Sequence, residues 1–338
     1  MSQATVQDAP QPVPVFDLQP IVIGLSDQRK RWRESQKRLT DTGGRELPTR
    51  EALSHILSGL RGVLFPMRLG PADLRQESED FYVGHTLDSM LHALLVQVQL
   101  ELRYARRLAL GSEEGKVHPP ADTQPIDHRA LQIVQDFARA LPQIRALLDS
   151  DVTAAFLGDP AAQSVDEVLL CYPGVCAMIH HRLAHQLYLL GVPLLARMTA
   201  EMAHAQTGID IHPGATIGAG LFIDHGTGVV IGETAVIGQR VRIYQAVTLG
   251  AKSFPMDESG HPLKGLPRHP VLHDDVVIYA GATVLGRVTI GQGATIGGNV
   301  WVTHDVPAHG HITQAVSRNA QPPQTVPTAP AATAGLTP

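Results

Sequence analysis

Aliphatic residues recur every six positions between Ile209 and Val302: Ile211, Ile217 and Ile223, then Ile231, Ile237, Ile243 and Leu249, then Leu272, Ile278, Val284, Ile290, Ile296 and Val302. Two positions before most of them stands a small or branched residue, among them Ala215, Val229, Ala235, Val241, Val247, Val276, Ala282, Ala294 and Val300. Strand-like alternation with a turn every six residues predicts a β-solenoid, each hexapeptide one flat face and three faces one coil. Stacked coils bury a column of aliphatic side chains that no single repeat could bury alone. Glycine follows the aliphatic residue at 217, 231, 237, 249, 290 and 296, and is expected there to supply backbone angles that other residues avoid.

Upstream the period is helical. Leu87, Leu91, Leu94, Leu95, Val98 and Leu102 form one apolar stripe, and Leu131, Val134, Phe137, Ala138 and Leu141 another. Residues 111 to 125 separate them, and helices through Val175 to Leu190 and Leu194 to Gln206 lead into the solenoid. Residues 1–20 and 319–338 are rich in Pro, Ala, Gln and Thr, lack apolar periodicity, and are predicted to be disordered. The expected order is a disordered or loosely helical extension over 1–44, a helical domain over 45–206, a solenoid over 207–317 and a disordered tail over 318–338.

With 338 residues and 43% hydrophobic content the chain has material for a large core and two domains. Its most hydrophobic segment, Leu87 to Leu110, carries Glu101, Arg103, Arg106 and Arg107, so no membrane helix is expected. The N-terminus has neither a basic start nor an apolar block, which reads as cytoplasmic. A formal charge of -5 gives no nucleic-acid footprint. The two cysteines, Cys171 and Cys176, are too few for a disulfide framework and are expected to be buried free thiols.

Two breaks in the repeat carry the chemistry. From Ile223 to Ile231 is eight residues, two beyond the hexad, and the extra length bears Asp224 and His225. A neutral imidazole at pH 7 can take a proton from a hydroxyl or amine and later return it to a leaving group. Its orienting carboxylate is either Asp224 or Asp210, the latter close to one eighteen-residue coil away and so expected to stack near His225. The second break, Leu249 to Leu272, is a long loop with Gly and Pro. Loops on rigid scaffolds often carry function, and Arg268-His269 within it can grip a carboxylate, Arg through a forked pair of hydrogen bonds.

The hexads resemble the left-handed parallel β-helix of hexapeptide-repeat acyltransferases. The run DIHPGATIGAGLFIDHGTGVVIGETAVIG, the VTLGA that follows, the loop's RHP and the upstream GDPAAQSVDEVLLCYPG resemble the bacterial serine O-acetyltransferases, especially their longer form. The fold implied is an N-terminal α-helical oligomerisation domain followed by a left-handed parallel β-helix. The resemblance implies transfer of acetyl from acetyl-CoA, a co-substrate and not a resident cofactor, to the hydroxyl of L-serine, giving O-acetylserine for cysteine synthesis. It makes His225 the general base with Asp210 as its partner. Asp159 and Asp224 would hold the substrate amino group, Arg268 and His269 its carboxylate, and Glu233 would be a further acid near the site. Coenzyme A would lie near Ala251 and Ala280 in a groove between neighbouring solenoids of a trimer, two trimers joining through the helices. L-Cysteine is expected to compete with serine. The family's shorter members dock an isoleucine-tipped tail into O-acetylserine sulfhydrylase, and the ending Ala-Gly-Leu-Thr-Pro argues against that partner here.

The rival on this fold is a γ-class carbonic anhydrase, since 17 histidines invite a zinc reading. Zinc needs three convergent ligands and an open position. His181 and His185 have helical spacing but lie among the helices, and His304 and His309 lack a third partner, so no metal is expected. Another hexapeptide acyltransferase with a different acceptor would share the base but has no use for Asp159, Asp224 and Arg268 together.

Overall fold

The computed structural model describes residues 16–35, 47–111, 125–253, 256–258 and 260–314, with the side chains of 109–111 left aside. The predicted C-terminal tail and the 112–124 part of the interhelical break lie outside them. The helices are α1 (Gln19–Ser35), α2 (Arg50–Leu64), α3 (Pro66–Leu69), α4 (Glu79–Gly111), α5 (Ile126–Gly158), α6 (Val165–Cys171), α7 (Pro173–Leu189) and α8 (Pro193–Thr207). The strands follow as β1 (Asp210–Ile211), β2 (Thr216–Ile217), β3 (Phe222–Ile223), β4 (Val230–Ile231), β5 (Val236–Ile237), β6 (Arg242–Ile243) and β7 (Thr248–Gly250). After the loop come β8 (Val271–Leu272), β9 (Val277–Ile278), β10 (Thr283–Leu285), β11 (Thr289–Ile290), β12 (Thr295–Ile296), β13 (Trp301–Val302) and β14 (His311–Ile312). Of the described residues, 16–35 and 104–111 fall in one unit, in which α1 has no buried residue, and those of 47–103 and 125–314 in the other.

All strands pair in parallel in three sheets, ordered β1-β4-β7-β10-β13, β2-β5-β8-β11 and β3-β6-β9-β12-β14. From β1 to β13 each strand pairs with the third one along, as a three-sided coil requires; β14 pairs with β12 because the face between them is only the isolated bridge of Val306 to Ile290. The architecture is the expected left-handed parallel β-helix. The hexad aliphatics form its axis: Ile231, Ile243, Leu249, Leu272, Ile278, Val284, Ile290, Ile296 and Val302 are all 0–1% exposed. The registers measure both breaks. Asp210 pairs with Val230, twenty residues on, so the first coil holds two residues beyond eighteen; Val230 pairs with Thr248 at eighteen; Thr248 pairs with Thr283 at thirty-five, across the loop.

The glycines after the aliphatic positions differ from expectation. Their backbone angles are ordinary, and what they lack room for is a side chain: a Cβ on Gly218 would sit 2.6 Å from the Gly238 carbonyl oxygen, and one on Gly291 2.4 Å from the Ala308 nitrogen. Coil-to-coil approach, not conformation, selects glycine there. Left-handed backbone falls at other corner residues, including Arg240, Ala246, Asp275, Asn299 and His225. The cysteines also differ: Cys171, the last residue of α6, is exposed and Cys176 is half-buried, both as free thiols.

The N-termini of α2, α6 and α8 are satisfied by side chains. The Thr49 hydroxyl accepts the Ala52 N–H at 3.2 Å to cap α2, and the Ser164 hydroxyl accepts the Glu167 N–H at 3.1 Å to cap α6. The buried Glu101 carboxylate of α4 accepts the Leu194 and Leu195 N–H groups at 2.7 and 2.8 Å, capping α8. Its burial pushes the carboxyl up to about 7 against those two donors.

One buried ion pair joins these helices to the first coil. Arg182 of α7 donates from Nε and Nη2 to Asp151 of α5 at 3.0–3.1 Å, with side chains 5% and 1% exposed. The same guanidinium donates to the Ile217 and Gly218 carbonyls at 2.5 and 2.6 Å, while Asp151 accepts the Leu221 N–H at 3.0 Å. The adjoining Ser150 hydroxyl accepts the Gly220 N–H at 3.0 Å. Four polar groups of the corner before β3, the Ile217 and Gly218 carbonyls and the Gly220 and Leu221 N–H groups, are thus held by helix side chains. Asp151→Ala, which strands Arg182 in the core, is expected to lower the free energy of unfolding by about 3–5 kcal/mol. Urea denaturation measures it, and a loss below about 1 kcal/mol would remove the clamp from the account.

Candidate functional site

The sequence-predicted residues gather on two different edges of the prism. The corner between β3 and β4 carries Asp224 and His225, and that between β6 and β7 carries Tyr244. Ala280 lies at the equivalent corner between β9 and β10. The corner between β4 and β5 carries Glu233, and the long excursion between β7 and β8 begins with Ala251 and ends with Arg268 and His269. Sheet β1-β4-β7-β10-β13 separates these two edges.

On the first edge His225 occupies the left-handed region, at φ 59°, which turns its side chain out of the regular wall, where it is 69% exposed. Its Nε2 lies 3.8 Å from Oδ1 of the nearly buried Asp224, whose Oδ2 accepts from Arg242 Nη2 at 3.2 Å. The Arg242 guanidinium is held between the Phe222 and Tyr244 rings, 4.9 Å from each centroid, and Tyr244 stacks on Tyr279 at 5.1 Å.

The helices bring Asp159 to this edge. It ends α5, where Oδ1 accepts the Ala161 N–H at 2.8 Å and Oδ2 accepts the Tyr172 hydroxyl at 2.6 Å. Those two donors, Tyr172 foremost, hold its carboxyl below the usual range, and Arg242 and His225 add weaker pulls in the same direction. The Tyr172 phenol in turn is pushed up to about 12, chiefly by the hydrogen bond it donates to Asp159. The Cys-Tyr-Pro-Gly run explains the placement: Tyr172 is the N-cap of α7, Pro173 its first residue, and a Cβ on Gly174 would meet the Ile223 carbonyl oxygen at 2.3 Å. Only glycine lets the helix lie that close to β3.

On the second edge Glu233 accepts Arg268 Nη2 at 2.6 Å on one oxygen and the Tyr188 hydroxyl at 3.1 Å on the other. Burial raises the Glu233 carboxyl, but Arg268 and Tyr188 outweigh it and leave it below its ordinary value. His269 is 7% exposed. Burial first, and then the Arg268 charge, bring its imidazole down to about 4, so it is neutral at pH 7. His212 packs edge-on against Tyr188 at 5.8 Å, and burial lowers it too.

The two-residue insertion lengthens the coil to twenty, so Asp210 pairs with Val230, and among the described residues no hydrogen bond or ion pair joins Asp210 to His225. Its carboxylate instead lies within 4.8 Å of Glu201 and His204. Tyr172, Arg242, Tyr188 and Thr234 belong to these clusters but were invisible as candidates, since isolated polar residues at corners and caps have no period. The Cys-Tyr-Pro-Gly turn was the one available signal, for Tyr172.

Residues 269–304 match the family model described as bacterial transferase hexapeptide (six repeats). The chain is 59% identical over 273 residues to a plasmid-borne serine acetyltransferase of Synechococcus elongatus, covering 81% of this chain and 83% of that protein. It is 52% identical over 157 residues to a serine acetyltransferase of Mycobacterium tuberculosis, covering 46% of this chain and 65% of that protein. The crystal structure of Entamoeba histolytica serine acetyltransferase 1 in complex with L-cysteine superposes with a TM-score of 0.64 at 36% identity, covering 77% of this chain and 86% of that one.

Tyr172→Phe tests the first edge. It is expected to cost about 1 kcal/mol at pH 7, the value of a part-exposed hydrogen bond to a charged group. A depressed carboxylate contributes stability above its unfolded pKa and loses it as pH falls through the folded one. The difference between the two proteins should therefore vanish in acid. Chemical denaturation at pH 7 and at low pH reads both points, and a pH-independent difference would mean Tyr172 acts by packing alone.

Proposed function

The chain belongs to the serine acetyltransferase family, and on that premise we propose how its residues move an acetyl group from acetyl-CoA to the hydroxyl of L-serine. The observation that carries the proposal is the pairing of a displaced, exposed imidazole, His225, with the carboxylates Asp159 and Asp224 on one edge.

Serine is a zwitterion, and the two edges match its two charges. Asp159 and Asp224 receive the ammonium group, with Arg242 leaving the three-residue set one net negative charge to meet one positive. Arg268 and His269 receive the carboxylate, Arg268 with Nη2 fixed by Glu233 and Nη1 by the Leu266 carbonyl, which leaves the other N–H groups of the guanidinium to the ligand. Since sheet β1-β4-β7-β10-β13 lies between these edges, one chain does not close the site. A neighbouring chain in a cyclic trimer supplies the second edge, and acetyl-CoA lies along the same junction, near Ala280 of one chain and Ala251 of the next. L-Cysteine carries the same two charged groups and competes for both subsites.

His225 takes the proton of the serine hydroxyl as its oxygen attacks the thioester carbonyl. The C–O bond forms, the carbonyl becomes an oxyanion, and collapse breaks the C–S bond. The imidazolium returns the proton to the departing thiolate, giving O-acetylserine and CoA. Asp210 serves as the partner of His225 once the exposed ring turns from Asp224, which Arg242 already engages. The zinc-hydratase alternative is not favoured: among the described residues, the close His and carboxylate group Glu201, His204 and Asp210 has a single imidazole, and Arg197 already pairs with Glu201.

Release of CoA thiol from acetyl-CoA is expected to require serine and to fall about 10²–10⁴-fold in His225→Ala, the range for loss of a general base. Asp210→Asn should lower kcat, whereas Asp224→Asn should raise KM for serine; the reverse pattern would exchange their roles. The split site has its own test. His225→Ala and Arg268→Ala chains, each inactive alone, are co-expressed. With random mixing about a quarter of the interfaces join two intact edges, so activity should recover to that fraction. Absence of recovery in mixed trimers would place both edges of the site within one chain.

A further inference from the structure

We propose that Thr234 is a positioning residue for the substrate carboxylate, fixing His269 in the tautomer that donates from Nε2. This rests on the reading of Arg268 and His269 as the carboxylate-binding pair.

Thr234 follows Glu233 in the corner between β4 and β5. Its backbone N–H donates to His269 Nδ1 at 3.1 Å. A ring nitrogen that accepts from an N–H holds a lone pair there, so the one proton of the neutral imidazole is on Nε2. The hydroxyl adds to the same assignment. Thr234 Oγ1 accepts the Arg268 N–H at 2.9 Å and the His269 N–H at 3.1 Å, which uses both of its lone pairs. Its own proton then points to His269 Nδ1, 2.9 Å away. One residue thereby fixes the backbone of both gripping residues and the protonation pattern of one ring.

The surroundings keep that ring in place. Arg287 Nη1 donates to the Thr234 carbonyl at 2.6 Å and the His269 carbonyl at 3.1 Å, closing the loop end onto the corner. The imidazole lies against Gly232, where a Cβ would meet Cδ2 at 2.0 Å and Nε2 at 2.1 Å. His269 Nε2 has no hydrogen-bond partner among the described residues. Burial and the Arg268 charge keep the ring neutral, so what it offers an anion is one directed N–H donor, with the other nitrogen committed. A ring turned by half a rotation would leave the Thr234 N–H facing carbon, which supplies the force against disorder.

The test compares Thr234→Val, which keeps shape and the backbone N–H but loses the hydroxyl, with Thr234→Ser, which restores it. Thr234→Val is expected to raise KM for L-serine about tenfold while kcat and KM for acetyl-CoA stay within about threefold, and Thr234→Ser to return serine KM to within about threefold of wild type. Nitrogen NMR of the imidazoles should find His269 bare at Nδ1 and protonated at Nε2. Gly232→Ala, which forces the ring aside, should raise serine KM in the same way. If His269→Ala raises serine KM but Thr234→Val does not, or if the ring proton is on Nδ1, the tautomer proposal is overturned while the carboxylate reading stands. If His269→Ala leaves serine KM unchanged, both fall together.

Discussion

The placement of the candidate chemistry depends on the buried pair of Asp151 and Arg182. Burial raises the Asp151 carboxyl to about 6 although Arg182 and two backbone donors pull the other way, so desolvation exceeds the attraction within the pair. Such a pair is a poor source of net stability and a strong source of position, because only one arrangement satisfies all its donors and acceptors. Here that arrangement includes the Ile217 and Gly218 carbonyls and the Leu221 N–H. The corner that enters β3 is therefore locked to α5 and α7, and Asp224 and His225 leave β3 directly. Asp159 ends α5 eight residues beyond Asp151, and Tyr172 begins α7 ten residues before Arg182. A single clamp sets both helical contributors against the edge that carries the imidazole.

The solenoid was legible because its core is periodic: one aliphatic residue per hexad must face the axis, whatever its identity, so the pattern survives in one sequence. The insertion at Asp224-His225 was legible for the same reason, as a miscount of two between Ile223 and Ile231. What the insertion does to the register shows only in the folded chain, where the twenty-residue coil pairs Asp210 with Val230. The glycines were correctly located and wrongly explained, since steric approach between coils leaves no trace in sequence that distinguishes it from unusual backbone angles. Tyr172, Arg242 and Thr234 act through side-chain contacts made across as many as 13, 18 and 35 positions, and nothing short of the folded register reveals such contacts.

The two edges differ in how they prepare charge. The first gives its carboxylates direct donors, with Tyr172 and the Ala161 N–H on Asp159 and Arg242 on Asp224. The second keeps its histidine neutral by burial beside an arginine and places one full positive charge, Arg268, against one acid, Glu233. Each edge alone holds its charges partly compensated, which is what a surface exposed in a single chain requires; brought together, they present opposite signs a short distance apart.

That arrangement also bears on where the imidazole of His225 can act. On a lone chain it is 69% exposed, and a base in water has no oriented substrate and no protection for its proton. Apposition of a second edge would remove that water, strengthen every charge contact in the junction, and set the hydroxyl of a bound zwitterion between the imidazole and the thioester. The two-residue insertion that carries His225 out of the wall does nothing for the solenoid itself, whose other corners, the excursion after β7 aside, share the left-handed turn without it. It sets an imidazole on one edge of the chain, and the other edge carries a fixed arginine and a neutral histidine.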